Sequence, residues 1–136
     1  MEIDQQAIKV LKSSKTIVVV GLSDKPERPS YAVASYLVEH GYNVIPVNPM
    51  ITRWKGIPAY RSLNDIPKKE KIDIVDIFRK SEEISPIVDE AIKIGAKIVW
   101  MQLGVINEEA AEKARKAGIL VVMDKCIKIE HAKIKD

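Results

Sequence analysis

Thr16-Ile17-Val18-Val19-Val20-Gly21-Leu22-Ser23-Asp24 is the stretch that decides the fold. A β-branched run without polar alternation reads as a strand buried on both faces, the central strand of a parallel sheet. Gly21, directly after it, permits a sharp turn and leaves no Cβ between the backbone and a ligand. The turn feeds a helix whose free N–H groups point above the strand end, an arrangement that receives phosphate. The stretch therefore predicts a nucleotide-type ligand before any catalytic residue is considered. Gly21 is the only glycine in this turn, so the motif falls short of a full G-x-G-x-x-G. On this reading Gly21 serves ligand approach more than folding.

Outward from that strand, three further glycines share one context: His40-Gly41-Tyr42-Asn43-Val44-Ile45, Ile94-Gly95-Ala96-Lys97-Ile98-Val99 and Ala117-Gly118-Ile119-Leu120-Val121-Val122. Each closes an amphipathic segment and opens an apolar run, where a left-handed residue ends a helix. Helix, glycine, strand in repetition is the signature of an α/β sheet. The spacing predicts strands over 16–20, 43–47, 72–77, 97–101 and 119–123, with a short edge strand near Ile57-Pro58-Ala59-Tyr60. It predicts helices over 4–12, 30–40, 83–94 and 107–117. Either Ser81 or Ser85 caps the third, and Asn107 caps the fourth. The expected fold class is α/β: a Rossmann-like doubly wound parallel sheet of five to six strands with helices on both faces. The expected order is 3-2-1-4-5-6, with the short strand at the edge. No linker divides residues 1–136, which read as a single domain.

Composition narrows the function classes. The net charge of +3 is small, and lysines are interspersed with glutamates, which argues against nucleic acid. No apolar run reaches the roughly 20 residues of a membrane span. The first residues lack the pattern of a signal peptide. The single cysteine, Cys126, forms no internal disulfide framework, so a reducing, cytoplasmic setting is expected. His40 and His131 stand far apart in sequence, and no nucleophile–base pair or metal cluster can be argued. Cys126, beside Lys125, reads as a half-buried structural thiol.

In a doubly wound sheet the ligand lies at the carboxyl ends of the strands, where the order reverses. After the first strand, Gly21 and Ser23 present donors, Lys25 and Arg28 add positive charge, and Ser30 is placed to cap the helix ahead of Tyr31. After the second come Val47-Asn48-Pro49, where an NAD-binding domain places a carboxylate for the ribose. A neutral end followed by Arg53 and Lys55 suits a ribose bearing an extra phosphate, as in NADP or coenzyme A. After the next long strand, Phe78 either faces an adenine or flanks a pantetheine arm. Arg79 either pairs with Glu83 or binds phosphate. Gln102 is expected near the crevice floor, and Trp100 in the core.

These strand ends together resemble the stand-alone CoA-binding proteins, small relatives of the CoA-binding domain of the succinyl-CoA synthetase α subunit. The matching stretches are Val20-Gly21-Leu22-Ser23, Pro29-Ser30-Tyr31, Gly41-Tyr42-Asn43-Val44-Ile45-Pro46-Val47-Asn48-Pro49, Gly56-Ile57-Pro58-Ala59-Tyr60, Asp73-Ile74-Val75-Asp76-Ile77-Phe78-Arg79, Trp100-Met101-Gln102-Leu103-Gly104 and Val122-Met123-Asp124-Lys125-Cys126. The resemblance implies a Rossmann-like fold that binds coenzyme A. Its phosphates would lie over Gly21, Ser23 and the helix near Ser30. Its nucleotide would lie near Val47, Asn48 and Pro49, with Arg53 or Lys55 available to the 3′-phosphate. Neither histidine lies at a strand end, so the synthetases' phosphohistidine chemistry is not implied. The expectation is a CoA- or acyl-CoA-binding module without catalysis of its own. The alternatives are a subunit of an acyl-CoA ligase acting with a partner chain, or an NADP-binding oxidoreductase domain.

Overall fold

The computed structural model describes residues 3–134. Asp4 accepts a hydrogen bond from the Gln6 amide at 2.6 Å and caps α1 (Gln5–Ser13). β1 (Thr16–Val20) follows, buried along its whole length. α2 (Pro29–Glu39) opens on proline, whose fixed φ suits a first turn, and ends ahead of Gly41 at φ +90°. β2 (Asn43–Val47) leads to two short strands, β3 (Arg53–Trp54) and β4 (Ile57–Pro58). Then come β5 (Ile74–Ile77), a 3₁₀ turn at Ser81–Glu83 and α3 (Ile84–Lys93). β6 (Ile98–Met101), α4 (Glu108–Lys116), β7 (Leu120–Val122) and α5 (Ile127–Ala132) complete the chain.

The main sheet has five parallel strands in the order β2-β1-β5-β6-β7. Strand alternation gives each face its own core. On one face Val18, Val75 and Val99 meet Ile84, Val88 and Ala91 of α3 and Ala110 and Ala114 of α4. On the other, Ile17, Val19, Ile74 and Trp100 meet Leu11 of α1, Leu37 of α2 and Ile127 of α5. Each fully buried aliphatic side chain contributes about 1.5–3 kcal/mol.

The short segment at 57–60 departs from the expected edge strand. Ile57 and Pro58 pair antiparallel with Trp54 and Arg53 in a hairpin closed by Lys55 and Gly56, at φ +49° and +78°. Just past the hairpin the Val47–Tyr60 bridge ties it to the main sheet, the Tyr60 amide donating to the Pro46 carbonyl at 3.0 Å and the Asn48 amide to the Tyr60 carbonyl at 2.9 Å. Pro46 has no N–H to offer on that open edge, so the ladder cannot continue. The order is thus the expected one without its third strand.

Three other expectations change. Ser30 does not cap α2: Arg28 holds that position without a side-chain bond, and the Ser30 hydroxyl instead accepts from the Ser23 amide at 2.9 Å. Neither Ser81 nor Ser85 caps α3, which begins from Glu83 through the 3₁₀ turn. α5 was not foreseen. Asn107 does cap α4, its Oδ1 accepting from the Ala110 amide at 2.9 Å.

Candidate functional site

Strand order reverses between β1 and β5, and their carboxyl ends open a crevice on either side of Gly21. A Cβ built on Gly21 would lie 2.4 Å from the Phe78 carbonyl oxygen, and Gly21 has φ +84°. Glycine is therefore required here by the fold itself, which corrects the expectation that ligand approach dominates.

On the α2 side is a cavity of about 520 Å³, whose lining includes Gly21, Ser23, Asp24, Lys25, Arg28, Ser30, Asn48 and Phe78, with Met50 and Ile51. Its loop is fastened from within. The Asn48 amide group donates to the Leu22 carbonyl at 2.9 Å, and Asn48 Oδ1 accepts from the Met50 amide at 2.8 Å. The Lys25 amide donates to Ser23 Oγ at 3.1 Å, and the Gly21 amide to the Val47 carbonyl at 2.8 Å. Gly21 and Ser23 thus spend their amides on the protein. What this cavity offers an anion is Lys25, Arg28 and the Ser30 amide, beside the Asp24 carboxylate; Pro29 has no N–H, and the Tyr31 amide donates to the Arg28 carbonyl at 3.1 Å.

On the α3 side is a cavity of about 240 Å³ lined by Gly21, Val47, Pro49, Leu63, Ile87, Arg61, Arg79, Glu83 and Glu90. Its walls are apolar at Val47, Pro49, Leu63 and Ile87 and charged at the rim. Arg79 Nη2 donates to Glu83 Oε1 at 2.9 Å, and Arg79 Nε to Oε2 at 3.3 Å. That hydrogen bond holds the Glu83 carboxyl below its usual range. Glu90 Oε1 accepts from the Asn64 amide at 3.3 Å.

Four expected site residues lie elsewhere. Lys55 Nζ donates to Ser35 Oγ at 2.7 Å and sits 5.0 Å and 5.2 Å from the rings of Tyr31 and Trp54. Tyr31 packs edge-on against Trp54 at 5.3 Å. Arg53 Nη1 donates to the Gly56 carbonyl at 3.2 Å. The Lys55 and Trp54 contacts clip the hairpin to α2, the Arg53 contact closes the hairpin on itself, and none of these side chains lines either cavity. Gln102 is buried, and its Oε1 accepts from the Ile127 amide at 3.0 Å, which caps α5. Trp100 is in the core as expected, its Nε1 donating to the Lys125 carbonyl at 2.9 Å. Cys126 is half-buried at the start of α5.

Sequence reasoning missed three features. Arg61 reaches the crevice because the Val47–Tyr60 bridge places its neighbour beside the end of β2. Asp76 is fully buried, without a hydrogen-bond partner for either oxygen among the described residues, and burial pushes its carboxyl well above the usual range. It shares a sheet face with Phe78, one pleat below the crevice. Its signal was visible: a lone acid within an apolar strand. His40 and His131 come together with ring centroids 5.3 Å apart, where Tyr36 Oη and His131 Nδ1 bond at 2.8 Å. Nothing in their spacing announced this.

Residues 15–132 match the model of the CoA binding domain. The chain belongs to that family. The uncharacterized protein YneT of Bacillus subtilis is 43% identical over 124 residues, covering 91% of this chain and 90% of YneT. A hypothetical protein from Pyrococcus horikoshii OT3 superposes with a TM-score of 0.91 at 42% identity, over 97% of this chain and 92% of that one. The α subunit of ADP-forming acetate–CoA ligase I from Pyrococcus furiosus is 25% identical over 132 residues, or 85% of this chain. This chain spans 28% of that subunit. Among the described residues no helix is long and apolar enough to cross a membrane.

Proposed function

We propose that this CoA-binding domain binds coenzyme A or an acyl-CoA in the crevice at the carboxyl ends of β1, β2 and β5, as a binding module. The observation that carries this reading is the meeting of two unlike cavities at Gly21. The wider one, where Lys25, Arg28 and the Ser30 amide outnumber the Asp24 carboxylate, suits the diphosphate. The narrower one, walled by Val47, Pro49, Leu63 and Ile87, suits a flat base. Asn48 and Pro49 stand where a carboxylate would read an unphosphorylated ribose, and Arg61 is the nearby cation suited to a 3′-phosphate. Native mass spectrometry of the freshly purified protein tests the reading. The expected result is a fraction carrying the mass of CoA or an acyl-CoA, and a nicotinamide dinucleotide in its place would overturn it.

The similarity to the ligase α subunit favours a second reading, in which the module works beside a separate partner chain. Pull-down of the tagged full chain from its own cells, with a nucleotide-binding ligase subunit recovered, would support it.

A further inference from the structure

An ion pair that a phosphate-bearing ligand would disturb lines the narrower cavity beside Gly21, the residue that both cavities share. Arg79 Cδ lies 3.0 Å from the place a Cβ on Gly21 would take, so the arginine stem crosses the backbone at the centre of the crevice. Its guanidinium is turned onto Glu83, in contacts of 2.9, 3.2 and 3.3 Å. Both side chains line the narrower cavity, and they are 37% and 38% exposed. At that exposure water screens the pair, and it contributes little to stability. A guanidinium fork matches phosphate as well as it matches carboxylate. Glu83 therefore occupies the donors that a bound phosphate needs, and its own charge repels that phosphate.

We infer that the Arg79–Glu83 pair is a ligand-exchanged latch: Arg79 leaves Glu83 for the ligand's phosphate, and Glu83 acts as a built-in competitor that sets the affinity. This rests on the reading that the crevice takes a phosphate-bearing ligand, and it adds how that site is regulated. The two partners of one ion pair then have opposite effects. Arg79→Gln weakens binding. Glu83→Gln, which keeps the shape of the side chain, tightens it by about two- to five-fold, the worth of an exposed ion pair. A purely structural pair would move both variants in the same direction or neither.

The test is a double-mutant cycle by calorimetry on the full chain, with CoA and, separately, inorganic pyrophosphate as probes. Thermal melts confirm that each variant is folded. The latch predicts tightening in Glu83→Gln, weakening in Arg79→Gln, and loss of most of the Glu83→Gln gain in the Arg79→Gln background. An unchanged or weaker Glu83→Gln overturns it. So does an equal gain in the Arg79→Gln background, which would mean only a general change in field. If pyrophosphate shows the opposite signs while CoA does not bind, the latch stands and the CoA reading falls. If CoA binds and the signs are equal, the reverse holds.

Discussion

Two acids on the same strand segment, Asp73 and Asp76, respond to pH in opposite directions. Asp73 accepts from the amides of Lys15 at 2.8 Å and Thr16 at 3.0 Å and pairs with Lys97 at 3.2 Å. Partial burial pushes its carboxyl up, but those amides and Lys97 outweigh it and hold it below the usual range. Its stabilisation is full above the unfolded value of about 3.9 and is lost as pH falls through the lower folded value. Asp76 is held above the usual range by burial alone. The folded chain keeps that proton where the unfolded chain has released it. Stability therefore falls as pH rises from about 3.9 through the folded value. Urea unfolding from about pH 3 to about pH 8 should show Asp73→Ala losing about 1–3 kcal/mol near neutrality and little in acid. Asp76→Asn should gain stability near neutrality and gain nothing in acid. Equal effects at both ends of the range would contradict this assignment. Gly21 belongs to the same scale. The left-handed φ and the Phe78 carbonyl together predict that Gly21→Ala loses more than about 2 kcal/mol in the same assay. A variant of unchanged stability would mean the backbone there can relax.

At the scale of elements, the hairpin of β3 and β4 decides which cations face the crevice. Its left-handed Lys55 and Gly56 fold it onto α2, where Lys55 is held by Ser35, Tyr31 and Trp54. Lys55→Ala should lower the melting temperature by several degrees, consistent with loss of about 1 kcal/mol. It should leave the ratio of affinities for CoA and 3′-dephospho-CoA unchanged. Arg61→Ala should weaken CoA by roughly ten-fold or more and 3′-dephospho-CoA hardly at all, since a charge-assisted phosphate contact is worth about 1.5–3 kcal/mol. A selective loss in Lys55→Ala would return the 3′-phosphate to the hairpin. The long elements were legible in the sequence because glycine ends a helix and a β-branched run makes a buried strand, as at Gly41, Gly95, Gly118 and 16–20. The hairpin was not, because two-residue strands carry no periodicity. α5 was not, because it is six residues long and is held by Gln102, a partner 25 residues away.

For the whole molecule, the doubly wound order puts a crevice between the carboxyl ends of β1 and β5, and the position of that crevice followed from the order in which strands and helices alternate. Gly21, Ser23, Arg28, Ser30, Asn48 and Phe78 meet around one cavity, and Val47, Pro49 and Arg79 around the other, as strand ends should. Glu83 joins the second cavity through its expected pair with Arg79, four residues away, whereas Arg61 and Glu90 reach it through contacts between elements, which local sequence does not encode. The histidine pair likewise joins the end of α2 to α5 across the fold. The crevice is proposed to take coenzyme A in preference to a nicotinamide dinucleotide. Calorimetric titration of the purified chain with CoA, NAD and NADP in one buffer tests it most directly. The expected result is one-to-one binding of CoA, tighter than either dinucleotide. Tighter binding of NAD or NADP, or no heat of binding with CoA at any temperature tried, would contradict it.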